Sequence, residues 1–187
     1  METTDSRPGW FFSPPVGPSI SDASLTVILD HIKRDDDYWS SEAPATAHDY
    51  CRENWAPLIY SDGIPDGLRA SAEIYYIERG KFTVSVRGTN ITDYSAANDP
   101  ETGERLDVPA HWLDAYPVVS AGWDEYMEVS RQGNRYRYPT AVTLDREQVA
   151  SVIGHLYAEK SLWPGSSWIT EMEYARKFRR WFYVSDE

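Results

Sequence analysis

The chain has 187 residues, 41% of them hydrophobic, with 18 Lys and Arg against 30 Asp and Glu for a formal net charge of −12. That length suits a single domain able to bury a core without staples, and the lone Cys51 excludes an internal disulfide framework and a Cys-rich zinc site. The acidity argues against direct binding of nucleic acid or an anionic membrane, and no apolar run approaches the roughly 20 residues of a membrane helix.

Residues 1–19 hold Pro8, Pro14, Pro15 and Pro18 beside Trp10, Phe11 and Phe12. The prolines forbid a regular helix, and the aromatics predict an arm that packs somewhere. The opening METTDSRPGW carries no signal pattern, so the expected compartment is the cytoplasm. Over residues 21–34 the apolar positions Leu25, Ile28, Leu29 and Ile32 recur at helical spacing, with Ser21 or Asp22 as the cap. Asp35, Asp36 and Asp37 then sit badly at a helix C-terminus, which predicts a break. Residues 45–54 allow a short helix, and two Asp-Gly pairs within 61–67 signal turns.

Residues 70–88 read as a β-hairpin. Phe82, Val84 and Val86 alternate with Thr83, Ser85 and Arg87, and Gly80 supplies the positive φ of the turn. A long polar connection over 89–115 follows, of the kind that is functional or disordered. Residues 123–129 and 134–143 predict a second strand pair. The best helix begins at Asp145, where Gln148 completes a capping box and Leu144 with Val149 forms a staple. Its stripe is Val149, Val152, Ile153, Leu156 and Tyr157, and Trp163-Pro164-Gly165 should stop it. Thr170 and Glu173 repeat the capping box before a last helix over 171–182. These elements predict an α+β fold: an antiparallel sheet of about four to six strands with helices on one face. The domain would span 1–187, with an N-terminal arm (1–19) and a C-terminal extension (169–187).

No catalytic set emerges. His48 and Cys51 stand three apart, but a metal site needs three or four ligands and no second cluster appears. Neither a strained nucleophile turn nor a Gly-rich phosphate loop is present. The expectation is a protein that is not an enzyme and needs no metal and no cofactor. Charge distribution says more. From Asn90 to Val129, nine acids stand against the single base Arg105, leaving eight of the twelve net negative charges in this stretch. Large aromatics lie among these acids. Aromatics can anchor an interface while acids steer a basic partner to it. The candidate contact is therefore Asp114, Trp123, Asp124, Glu125, Tyr126 and Glu128. Strand alternation would set Trp123, Glu125 and Met127 on one face and Asp124, Tyr126 and Glu128 on the other.

The run Ala141-Val142-Thr143-Leu144, the helix start Asp145-Arg146-Glu147-Gln148, its end at Leu156-Tyr157, then Pro164 and Trp168, form a strand–helix–Trp pattern. With the hairpin over 73–86, this pattern resembles a bacterial immunity protein family of polymorphic toxin systems, the type often paired with nucleic-acid deaminase toxins. The resemblance covers about half of the chain. It implies a protein that neutralises a cognate toxin with a basic surface by binding and occluding it, with no catalytic residues of its own. An aromatic-rich small-molecule or carbohydrate binding module is the alternative.

Overall fold

The alternation of residues 69–88 organises the sheet. A computed structural model describes residues 8–40, 55–63, 69–88, 114–131, 134–170 and 173–174. Strands β3 (Arg69–Tyr76) and β4 (Lys81–Gly88) pair antiparallel, with Ala72 opposite Val86, Ile74 opposite Val84 and Tyr76 opposite Phe82. These apolar residues share one face and are buried. Arg79 (φ 49°) and Gly80 (φ 68°) make the turn.

Strand β2 (Trp55–Ser61) adds to the far side of β3, and β1 (Gly9–Phe12) adds to β2. The described part of the proline-rich arm thus contains an edge strand, and its Trp10 and Phe12 are core residues. Pro8 directly precedes the strand, and Pro14, Pro15 and Pro18 follow it, where the chain turns back. Phe12 then exchanges both backbone hydrogen bonds with Ile20, and the Ala23 amide donates to Trp10 O. That return covers much of an edge that would otherwise be open to pairing.

On the other side of β4, two strands share one edge. Strand β5 (Ala115–Val118) meets β4 at Val86, and the short β8 (Leu144–Asp145) meets it at Lys81 and Phe82. Strand β9 (Ser167–Thr170) pairs with β5 as the last member. Among the described residues the result is a seven-stranded antiparallel sheet, β1-β2-β3-β4-β5-β9 with β8 beside β4. The α+β expectation holds. The strand number exceeds four to six because the arm and the two-residue β8 both contribute.

Three helices among the described residues cover one face. In α1 (Leu25–Ile32) Ile28 and Ile32 are fully buried, and Ser24, rather than Ser21 or Asp22, is the cap. The three aspartates do break the helix, but they also start the next one. The Tyr38 amide donates to Asp35 Oδ1 at 3.0 Å, and Asp36 and Asp37 occupy the favourable first turn of α2 (Asp36–Ser40). Trp39 from α2 packs edge-on against Phe82. Helix α3 (Arg146–Glu159) has the predicted capping box, Gln148 N donating to Asp145 Oδ1 at 2.9 Å and Asp145 N donating to Gln148 Oε1 at 3.0 Å. It ends at Lys160 in the left-handed conformation, before the Trp163-Pro164-Gly165 segment. Thr170 and Glu173 also cap as expected. The possible helix at 45–54 lies outside the described residues, as do the polar connection over 89–113 and nearly all of the C-terminal extension.

Candidate interaction surface

Strands β6 (Tyr126–Arg131) and β7 (Asn134–Pro139) form a separate two-stranded ribbon. Its inner face carries Met127 opposite Tyr138 and Val129 opposite Tyr136, packed against Ile77 at the end of β3. Its outer face carries Glu128 opposite Arg137, joined at 2.9 Å. The same guanidinium lies 4.6 Å from the ring centroid of Tyr126, which is 47% exposed.

The segment before β6 is tied to the short 3-10 turn Thr140–Val142. Val119 N donates to Ala141 O, Ala141 N to Gly122 O and Thr140 N to Glu125 O, at 2.8, 3.1 and 2.9 Å. A side chain at Gly122 would collide with Thr140, so this close approach needs glycine. The clamp fixes Asp124 and Glu125 at the exposed rim beside Tyr126.

The six candidate residues therefore divide. Asp124, Glu125 and Tyr126 form one exposed acidic-aromatic run. Glu128 stands near it, but its carboxylate is committed to Arg137. Trp123 turns inward and packs on Tyr174, 6.1 Å between centroids, in a cluster with Tyr116, Val142 and Ile169. The alternation expected from Trp123 onward fails because the strand starts only at Tyr126. Asp114 lies before β5 and receives Arg87 Nε at 2.9 Å.

Sequence reasoning missed a second feature, on the sheet face opposite the helices. Trp55, Tyr75 and Thr83 form one register row across β2, β3 and β4. Trp55 and Tyr75 stack at 6.1 Å with 15° between planes, and Tyr75 Oη donates to Glu73 Oε2 at 2.6 Å. Burial first, and that hydrogen bond second, hold the Tyr75 phenol well above its ordinary pKa. Trp55 Nε1 and Thr83 Oγ1 are buried without a hydrogen-bond partner among the described residues. The only sequence signal was the alternation of β4, whose outward Thr83 and Ser85 prove buried as well.

No group of three metal-ligating side chains occurs among the described residues, and His48, Cys51 and His111 lie outside them. No helix among the described residues is long and apolar enough to cross a membrane. Among the described residues the fold is α+β, a seven-stranded antiparallel sheet with three helices on one face and a ribbon beside it. No family model matches the chain, and neither a curated protein nor a solved structure matches it.

Proposed function

We propose that the protein is a cytoplasmic immunity protein that binds and neutralises a cognate, nucleic-acid-targeting toxin of the deaminase kind. The observation that supports it is the exposed run Asp124-Glu125-Tyr126, clamped on Thr140 in a chain of net charge −12. A toxin that acts on nucleic acid needs a basic substrate surface. A rigid acidic edge competes for that surface and raises the encounter rate, while Tyr126 supplies an anchor that slows release. Occlusion, not chemistry, is the mechanism, and the protein contributes no catalytic group. Binding kinetics against the toxin encoded beside it test the reading. Charge reversal at Asp124 and Glu125 should slow association about tenfold at low salt and flatten its salt dependence. Tyr126→Ala should speed dissociation instead. Unchanged association in the double reversal would remove this surface from the contact.

The row Trp55–Tyr75–Thr83 favours the second reading, a small-molecule or carbohydrate binding module. The stacked Trp55 and Tyr75 rings are partly exposed beside the Glu73 carboxylate, an arrangement that suits a polyol, whereas the Thr83 hydroxyl is buried and takes no part. Quenching of tryptophan fluorescence by sugars, lost in Trp55→Phe, would favour it over the first.

A further inference from the structure

We propose that the concave surface at the β1–β2 edge is a docking groove for a basic, amphipathic segment of a protein partner. The inference stands on residues remote in sequence from the Asp124 surface and does not rest on the toxin reading.

The groove has a volume of about 370 Å³ and is lined by Gly9, Phe11, Asp22, Ile59 and Ser61, among others. Strand register explains its shape. Phe11 sits opposite Ile59, and Gly9 opposite Ser61, on the sheet face away from the helices. Gly9 has no side chain, so the Asp22 carboxylate takes the space where a Cβ would stand and borders the gap beside the Phe11–Ile59 pair.

Two features make the gap a recognition surface. Phe11 and Ile59 are 39% and 47% exposed, an adjacent apolar pair on an edge where neither is needed for the core. Asp22 is exposed and has no ion-pair partner among the described residues. It also holds φ 52°, a conformation that non-glycine residues rarely adopt. The chain return from Phe12 to Ala23 positions it there, through the Ile20 and Ala23 backbone bonds.

The occupant follows from this chemistry. An apolar side chain covers Phe11 and Ile59, and a Lys or Arg one or two residues away reaches Asp22. A net charge of −12 favours the approach of such a segment and disfavours an acidic one. The volume admits side chains rather than a folded element.

The test uses the full chain and the peptide Ac-Leu-Lys-Leu-Lys-NH2, with Ac-Leu-Gln-Leu-Gln-NH2 as the neutral control. Backbone amide NMR shifts should concentrate on Gly9, Trp10, Asp22, Ile59 and Ser61. The neutral peptide should bind at least about fivefold more weakly, as expected for one lost charge contact. Asp22→Asn should weaken the basic peptide to a similar extent, and asparagine tolerates the left-handed backbone, so the fold is retained. Ile59→Ser should weaken both peptides. Asp124→Lys should leave the shifts at the groove unchanged, which separates this surface from the toxin contact. Shifts scattered over the acidic surface, or equal binding by Asp22→Asn and the unaltered protein, would overturn the proposal.

Discussion

Arg146 holds Asp36 across 110 positions of chain. Its Nη2 lies 2.5 Å from Asp36 Oδ1, and its Nε donates to Arg34 O at 3.1 Å. A cation in the first turn of α3 is misplaced with respect to the helix dipole. The Asp36 carboxylate offsets that, and the guanidinium also lies 5.5 Å from the Phe82 ring centroid. One side chain therefore joins the α1–α2 connection and the first turn of α2 to the start of α3. Both groups are partly exposed, so solvent screens the pair. Arg146→Ala should cost about 1–2 kcal/mol in urea unfolding, mostly from the lost hydrogen bonds. A double-mutant cycle with Asp36→Ala should give a coupling of about 0.5–1 kcal/mol.

Trp168 should be the most costly single truncation on the β9 side. It is 9% exposed, belongs to the main core, and its Nε1 donates to Trp163 O at 2.9 Å. Trp168→Ala should cost about 3–5 kcal/mol. Trp168→Phe keeps much of the packing and loses the hydrogen bond, so it should fall between. Near-wild-type thermal unfolding of the alanine variant would mean that the core closes without this ring.

His31 gives stability a pH dependence. Its Nδ1 lies 2.5 Å from Tyr38 Oη. Burial first, then the Arg34 charge, lower its pKa below 6.5, with Asp30 opposing them. The unfolded chain therefore takes up the proton at higher pH than the folded protein. The contribution is full above about pH 6.5 and is lost as pH falls from there through the folded value. Unfolding midpoints measured between about pH 5 and 7.5 should decline on acidification, and His31→Gln should shrink that slope.

Lys160 ends α3 with φ 53° while its ammonium sits among Tyr60, Trp10 and Tyr157, at 4.8, 5.7 and 5.9 Å from the centroids. Its Nζ also donates to Tyr157 O at 2.7 Å. Two opposing magnitudes decide the substitutions. Relief of the left-handed backbone contributes about 1–2 kcal/mol, and loss of the cation–ring contacts costs about 0.5–2 kcal/mol. Lys160→Gly should be near neutral, whereas Lys160→Ala keeps the backbone strain and loses the contacts. Calorimetry should therefore rank the alanine variant below the glycine one.

Local pattern in the amino-acid sequence was enough to place the β3–β4 hairpin, the α1 stripe and the Asp145–Gln148 capping box. Each rests on residues two to four positions apart, whose geometry is the same in any fold. It also marked the acidic-aromatic run that contains Asp124, Glu125 and Tyr126. What it could not decide was partnership across the chain. Trp10 becomes a core residue only because β1 finds β2. Glu128 is joined to Arg137 only because register sets the two opposite each other. Trp123 faces Tyr174 because the clamp on Thr140 delays the start of β6. Asp22, a plausible helix cap by spacing, instead lies over Gly9 because the arm folds back onto its own strand. Periodicity is a local property and survives reading one residue at a time; register and edge pairing are set by burial of distant apolar residues, and only the folded chain chooses among them.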